Sequence, residues 1–249
     1  EIHRYLGIAQ FLCSKEKIST KEDAIKSLNK SIYLNSSDRF SEIIISVINS
    51  KYQSSKREGN QREDESYSNI IKPIVITKLV NMELINYIYE KNTLDLNKFD
   101  DPTFGNARGT DYRLFDEDNE ILNSIKVDLI KLLKTHFKSN IYFQDSFFTI
   151  LEGKSEVKKH DHLDHVDKLD NLNLYQNKFS LVYYLKTGDQ DCSHPGYIEF
   201  YDPDYKILPK EGMIIIFPSE RKHSVIYNGN EDRVIMGINF YIYWIIILN

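Results

Sequence analysis

The second half of the chain alternates short apolar segments with turn residues, and this pattern most restricts the possible folds. From Asn140 onward the apolar segments are rich in β-branched and aromatic residues, and Gly, Pro or Asn separates them. They are residues 141–143, 147–151, 179–185, 197–201, 213–217, 223–227 and 234–247. Many short strands at this spacing are typical of an antiparallel sandwich or barrel.

The residues before this β-rich half have helical periodicity. Residues 119–137 repeat Ile and Leu at intervals of three and four, and residues 82–90 do so over a shorter stretch. Both patterns predict amphipathic helices. Residues 70–80 are rich in Ile and Val and predict a strand. Helices followed by a run of strands predict an α+β fold.

The N-terminal residues 1–52 predict a separate helical module. The order of Leu6-Gly7, Ala24, Leu28 and Ser31 resembles a tetratricopeptide repeat, in which small residues let two helices approach closely. A plain helical hairpin is the alternative. One repeat cannot bury its own apolar face, so we expect upstream repeats or packing against the neighbouring domain.

A polar linker over residues 53–69 would separate this module from a domain at 70–249.

Charge and cysteine content exclude several classes of function. The net charge is −5, with 32 basic and 37 acidic side chains, so nucleic acid is not expected as the main partner. Cys13 and Cys192 can form neither a disulfide framework nor a thiolate zinc site, which indicates a reducing cytoplasm. The apolar segment 241–248 is far shorter than the roughly 20 residues of a membrane-spanning helix, so we expect a soluble protein without a membrane partner.

A dense group of histidines and aspartates predicts a metal site. The sequence His160-Asp161-His162-Leu163-Asp164-His165 places two ligands on one face of a strand, because alternate side chains share a face. Either His160 with His162 or His162 with Asp164 could form the pair. His223, at the start of a later strand, supplies the third ligand. Three protein ligands leave coordination positions open on a metal ion.

Arg233 begins another apolar strand ten residues after His223. An arginine that points into an apolar barrel must pair with an anion, because an unpaired buried charge is costly. The carboxylate of a bound 2-oxo acid would satisfy it. A surface salt bridge with Glu231 or Asp232 is the alternative.

These features occur in a recognisable order. Residues 70–245 resemble the 2-oxoglutarate/Fe(II)-dependent oxygenases, on the prolyl-4-hydroxylase-like side of that superfamily. The segments that carry the resemblance are LEGKSEVKKHDH, FSLVYYL, GYIEFYDP, KEGMIIIFPS and RVIMGINF. The resemblance implies a double-stranded β-helix, or jelly-roll, core with supporting helices.

The resemblance also implies a set of site residues. Fe(II) would bind His160, His162 and His223, with Asp164 as ligand in the alternative register. The far carboxylate of 2-oxoglutarate would meet Arg233, with Tyr183 or Tyr184 donating a hydrogen bond; of these we expect Tyr183. O2 would be the oxidant, and 2-oxoglutarate the cosubstrate.

The implied activity is hydroxylation of an unidentified substrate, for which a prolyl or other protein or peptide side chain is one candidate. The N-terminal module would present such a substrate. Two alternatives stay open: a catalytically inactive binding module, and a cupin-like metalloenzyme that does not use 2-oxoglutarate. The sequence does not predict the oligomeric state.

Overall fold

The α-helices of the described residues all lie before residue 140, and most of the strands follow them, as the sequence patterns predict. The computed structural model describes residues 18–34, 39–56, 72–98, 102–168 and 173–243. Its α-helices are α1 (Ile18–Leu34), α2 (Arg39–Lys56), α3 (Met82–Glu90) and α4 (Glu120–Phe137). Its strands are β1 (Ile74–Thr77), β2 (Leu94–Asp95), β3 (Thr103–Phe104), β4 (Ala107–Gly109), β5 (Asn140–Leu151), β6 (Ser155–His160), β7 (Lys178–Lys186), β8 (Pro195–Phe200), β9 (Tyr205–Ile207), β10 (Met213–Pro218), β11 (His223–Tyr227) and β12 (Arg233–Tyr243). Short 3-10 helices lie at Leu96–Lys98, Leu114–Asp116 and Leu174–Asn177.

The predicted helices at 82–90 and 119–137 are confirmed, and side-chain caps explain where they begin. The Asn119 side-chain oxygen accepts hydrogen bonds from the backbone N–H groups of Ile121 and Leu122, at 2.9 and 3.1 Å. Asn81 caps α3 in the same way. These bonds satisfy donors that a helix leaves unpaired at its N-terminus.

Two antiparallel sheets form the β-rich half. The larger sheet has the order β1-β10-β7-β12-β5-β4-β2, and the smaller has the order β3-β6-β11-β8-β9. One apolar cluster joins Leu151, Tyr184 and Phe217 of the larger sheet to Phe200 and Val225 of the smaller. The two sheets therefore pack face to face as a sandwich.

The outer face of the larger sheet is covered by helices. Leu122 and Leu129 of α4 and Leu84 of α3 share one buried cluster with Met236 and Phe240 of β12. Because side chains alternate along a strand, every second side chain of β12 points the other way, toward the smaller sheet. This alternation decides which side chains can reach the space between the sheets.

The structure differs from the sequence prediction in several strands. The segments 141–143 and 147–151 form one continuous strand, β5. Strands β2, β3, β4, β6 and β9 were not predicted. Strand β6 reads Ser-Glu-Val-Lys-Lys-His and has few apolar residues, whereas the others are only two or three residues long. In the last predicted strand, residues 244–247 lie outside the described residues.

The N-terminal helices pack against the β-rich half. Leu28 of α1 and Ile44 of α2 share a buried cluster with Tyr241 and Tyr243 of β12. This packing agrees with the expectation that a single helical hairpin must bury its face on a neighbour. The tetratricopeptide-like repeat stays a prediction, and its residues 1–17 lie outside the described residues.

The predicted linker begins inside a helix. Helix α2 continues to Lys56, past residue 53, and residues 57–69 lie outside the described residues. In the part of the chain that the structure describes, no helix has the length and apolar character needed to cross a membrane.

A buried ion pair anchors the segment that follows the predicted metal ligands. Lys178 is 1% exposed, and its ammonium group lies 2.5 Å from the carboxylate of Asp167, which is 0% exposed. The hydroxyl of Tyr241 donates to the same carboxylate at 2.5 Å. Asp167 thereby ties its loop to β7 and β12.

We expect Asp167→Ala to lower the free energy of unfolding by about 3–5 kcal/mol, because it leaves the Lys178 ammonium buried without its main counter-ion. Urea unfolding measures the loss. The double variant Asp167→Leu/Lys178→Met removes both charges and should recover most of it. A cost below about 1 kcal/mol for the single variant would contradict the assigned role.

Candidate metal centre

Three histidines converge at one end of the smaller sheet. His160 ends β6 and lies opposite His223, the first residue of β11, in the antiparallel register. His162 follows β6 by two residues. Its Nε2 atom lies 3.1 Å from Nε2 of His160 and 3.3 Å from Nε2 of His223. One ligand nitrogen from each ring can thus meet a single ion.

Hydrogen bonds on the far side of two rings favour the tautomer that binds metal. Nδ1 of His160 lies 2.7 Å from the carbonyl oxygen of Lys158, and Nδ1 of His223 lies 3.2 Å from that of Arg221. A carbonyl oxygen only accepts, so each Nδ1 carries the proton and donates. The Nε2 lone pairs are then free for a metal ion.

Burial keeps two of the three imidazoles uncharged. Desolvation, together with the neighbouring His160, lowers the pKa of His162 to about 3. Desolvation and the two neighbouring histidines lower the pKa of His223 well below its ordinary value. Neutral imidazoles are the form that coordinates metals, so protons compete little with a cation at neutral pH.

Arg233 lies in the same interior and has no counter-ion among the described residues. It is 2% exposed, and Nη1 donates to the carbonyl oxygen of Gly196 at 2.5 Å. Its guanidinium group lies 5.2 Å from the ring centre of Tyr184. Its Nε is buried without a hydrogen-bond partner, and no carboxylate among the described residues forms an ion pair with it. The predicted alternative, a salt bridge with Glu231 or Asp232, is therefore not the arrangement found.

Gly196 makes room for the arginine. Its φ is +82°, and a Cβ atom there would collide with Nη1 of Arg233. Only glycine adopts this conformation without strain while leaving that space empty. The sequence pattern, in which glycine only separates apolar segments, does not reveal this requirement.

A cavity of about 840 Å³ connects these groups. Its walls include His160, His162, His223 and Arg233. An anion paired with Arg233 could therefore share one cavity with an ion held by the histidines. This volume lies within the range of small-molecule sites.

The expectation for Tyr183 does not fit the structure and is corrected. Its hydroxyl donates to the carbonyl oxygen of Leu79 at 2.9 Å, on the face of β7 that packs against the helices. Tyr184 has the opposite orientation and lines the cavity, and its ring centre lies 5.2 Å from the guanidinium group of Arg233. The physical reason is the alternation of side chains along a strand.

Asp164 is engaged away from the three histidine nitrogens. One carboxylate oxygen accepts from the backbone N–H groups of Val166 and Asp167, at 2.8 and 3.1 Å. The other accepts from the Gln144 side chain at 2.8 Å and lies 3.5 Å from Lys178. The group that the structure brings together is His160, His162 and His223.

The family comparison covers this same part of the chain. Residues 151–241 match the model of the 2OG-Fe(II) oxygenase superfamily, and this stretch contains the three histidines and Arg233. The match thus covers the whole candidate centre. A comparison with curated proteins finds no match.

Solved structures with the same fold include oxygenases. A viral collagen prolyl hydroxylase from Paramecium Bursaria Chlorella virus-1, in a 2OG complex, is 18% identical with a TM-score of 0.50. The similarity covers 68% of this chain and 94% of that one. HygX from Streptomyces hygroscopicus, with nickel and 2-oxoglutarate bound, is 11% identical with a TM-score of 0.52, covering 73% and 87%. These similarities confirm the predicted double-stranded β-helix fold.

The depressed histidine pKa values predict how the stability of the metal-free protein depends on pH. Below the ordinary histidine pKa of 6.5, His162 and His223 bind protons in the unfolded chain but stay neutral in the folded protein. The free energy of unfolding therefore falls as the pH falls. Each of these histidines changes the free energy of unfolding by about 1.4 kcal/mol per pH unit. We expect His162→Gln to reduce this slope by about that amount in urea unfolding with chelator present. The control His136→Gln removes an exposed histidine, and an equal reduction there would contradict the assignment.

Proposed function

We propose that the protein is an Fe(II)- and 2-oxoglutarate-dependent oxygenase that hydroxylates its substrate. The observation that carries this proposal is Arg233, a buried arginine without a carboxylate partner, in one cavity with three converging histidines. A metalloenzyme that does not use a 2-oxo acid has no need for that charge. A binding module with no metal has no need for the histidines.

The histidines fit the metal. His160, His162 and His223 would hold Fe(II) through Nε2, since two of the rings have their Nδ1 atoms bound to backbone carbonyls. Three protein ligands leave positions for the 2-oxo acid end of the cosubstrate and for O2. When bound, iron and 2-oxoglutarate supply the oxidising chemistry that no amino-acid side chain provides.

Arg233 would bind the far carboxylate of 2-oxoglutarate. The guanidinium group is already oriented by the Gly196 carbonyl and by the Tyr184 ring, so little side-chain entropy is lost on binding. Tyr184 lines the same cavity, and its hydroxyl would donate a further hydrogen bond to that carboxylate. The low dielectric around Arg233 strengthens the pairing.

The apolar lining would keep water away from the bound cosubstrate. Val182, Ile198, Val225 and Ile235 line the cavity, and they come from both sheets. These four side chains offer no hydrogen bonds to ordered water beside them, which lowers the local dielectric.

For the substrate we propose a prolyl or other side chain of a protein or peptide. The collagen prolyl hydroxylase with the same fold supports this class. The N-terminal helical hairpin, packed on β12, would supply further surface for such a substrate. Incubation with peptide libraries, Fe(II) and 2-oxoglutarate, read by mass spectrometry for the addition of one oxygen atom, tests it. Turnover of small molecules alone would overturn this choice.

Anaerobic titration tests the cofactor pair. We expect a weak visible charge-transfer band when Fe(II) and 2-oxoglutarate are both present. Arg233→Met should raise the Kd for 2-oxoglutarate at least about 30-fold, a loss of about 2 kcal/mol or more from one buried charge pair. Metal affinity measured without 2-oxoglutarate should not change. Equal 2-oxoglutarate affinity in the variant would refute the cosubstrate assignment.

Two further variants decide the ligand register. His160→Ala should abolish the band, whereas Asp164→Asn should retain it, because the Asp164 carboxylate is engaged by Gln144 and by backbone donors. The reverse result would favour the alternative set of His162, Asp164 and His223. Absence of the band in the unmodified protein would favour the binding module.

A further inference from the structure

The cavity is longer than the proposed cosubstrate. One wall is the inner face of the larger sheet, on which neighbouring strands place their side chains in successive rows. Arg233 and Leu151 form one row, and Asn239, Asp145 and Ser180 form another, six residues further along β12. Six residues of a strand span roughly 20 Å, far more than the five-carbon chain of 2-oxoglutarate. The part of the cavity beside Asp145 is thus left for another molecule.

A β-bulge directs two neighbouring side chains into that part of the cavity. Phe143 lies opposite Phe240 and Asp145 lies opposite Asn239, so Gln144 is an extra residue on β5. Phe143 packs against the helices, whereas Gln144 and Asp145 both line the cavity. Adjacent side chains of a regular strand point to opposite faces, and a bulge is a common way to re-aim one of them beside a functional site.

Asp145 faces the cavity without a counter-ion. Its carboxylate accepts a hydrogen bond from Nδ2 of Asn239 at 3.2 Å, and no cation of the described residues forms an ion pair with it. Lys178 lines the same cavity, but its ammonium group lies 2.5 Å from Asp167 and 3.5 Å from Asp164. Desolvation raises the pKa of Asp145, as expected for a partly buried carboxylate that lacks such a partner.

The other charged side chains of the cavity lining do not change this assignment. They are Lys158, Asp161, Asp164, Lys178 and Arg233. Asp161 lies 3.7 Å from Lys168, and Asp164 shares Lys178 with Asp167. Lys158 belongs to the smaller sheet, and Arg233 belongs to the distant row. Asp145 is therefore the carboxylate of this lining that a bound cation would neutralise.

The Gln144 amide offers a second acceptor beside that carboxylate. Its Nε2 donates to Asp164 at 2.8 Å, which fixes the amide. Its Oε1 is buried and accepts no hydrogen bond from the described residues. A buried acceptor without a donor costs free energy, so a ligand that brings N–H groups to this oxygen would be stabilised.

An aromatic ring lies next to the same carboxylate. Phe147 follows Asp145 by two residues, so both side chains are on one face of β5, and both line the cavity. Tyr112 packs against Phe147 in a T-shaped arrangement at 4.9 Å and is half-exposed, so this side of the cavity reaches solvent. A carboxylate beside an aromatic ring suits a guanidinium or alkylammonium group, which pairs with the one and packs on the other.

The row of Asp145 is also connected to the metal centre. The N–H of His162 donates to the carbonyl oxygen of Ser219 at 2.8 Å, and the Ser219 hydroxyl lies 2.8 Å from that of Ser180. Ser180 lies opposite Asn239, which lies opposite Asp145. A group bound at Asp145 would therefore lie on the histidine side of the cavity, away from Arg233.

We propose that Asp145, with Oε1 of Gln144 and the ring of Phe147, forms a subsite for a basic side chain of the peptide substrate. The hydroxylated residue would then be an arginine or lysine, or a neighbour of one. This inference rests on the proposed function, and it adds the substrate charge that the cavity selects.

Affinity selection from matched peptide pools tests the subsite without turnover. The protein, loaded with redox-inactive Zn(II) and 2-oxoglutarate, is incubated with capped pentapeptides that have arginine, lysine or citrulline at the centre and random residues elsewhere. Citrulline has the shape of arginine without its charge. Mass spectrometry of the retained peptides should show the arginine or lysine pool enriched about tenfold or more over the citrulline pool.

Three variants locate the preference. Asp145→Asn keeps the size and an acceptor for Asn239 but removes the charge, so the enrichment should fall below about twofold while Co(II) affinity without peptide stays within about threefold. Asp161→Asn is the matched control, because that carboxylate already lies near Lys168, and it should retain the enrichment. If Asp145→Asn does not fold, Gln144→Met removes the amide acceptor and should lower the enrichment several-fold.

The outcomes separate this subsite from the proposed function. Equal retention of arginine and citrulline peptides by protein that binds metal and 2-oxoglutarate would overturn the subsite alone, as would an enrichment that persists in folded Asp145→Asn. Competition by n-butylguanidinium as strong as that of the peptides would overturn the choice of a peptide. Failure of the unmodified protein to bind Co(II) would overturn the proposed function and the subsite with it.

Discussion

The two-residue alternation of side chains along β7 and β12 is the constraint on which the rest of the structure depends. Each strand must present apolar side chains to the helices and a different set to the cavity. On β12, Met236 and Phe240 face the helices, while Arg233 and Asn239 face the cavity. A shift of register by one residue would bury both polar side chains under α4 and remove them from the centre.

Much of the site could be predicted because its residues are recognisable from short stretches of sequence. The spacing of His160 and His162 places them near one another in any extended segment, and an arginine at the start of an apolar strand has few stable environments. The fold class followed from helical periodicity and from many short strands. The helix at α4 was predicted to within one residue, because Asn119 caps it.

The remaining features depend on contacts between distant segments. The choice between Tyr183 and Tyr184 required the direction of each face of β7, which neighbouring residues do not show. The role of Gly196 required knowing that Arg233 approaches it. Strand β6 has few apolar residues because it borders the cavity and the surface, so hydrophobic patterning could not detect it. Asn239 and Arg233 are an even number of residues apart on β12, so their side chains lie on the same face of the strand. The position of Asn239 could therefore be inferred once the direction of that face was known.

With three neutral imidazoles as donors, a divalent ion in this centre keeps its full charge, whereas a carboxylate ligand would cancel part of it. Asp145, Asp161 and Asp164 also line the cavity, and the ammonium group of Lys178 lies 3.5 Å from the Asp164 carboxylate. A divalent ion and Arg233 in one cavity would together attract a molecule with a negative group at each end more strongly than a neutral molecule of similar size.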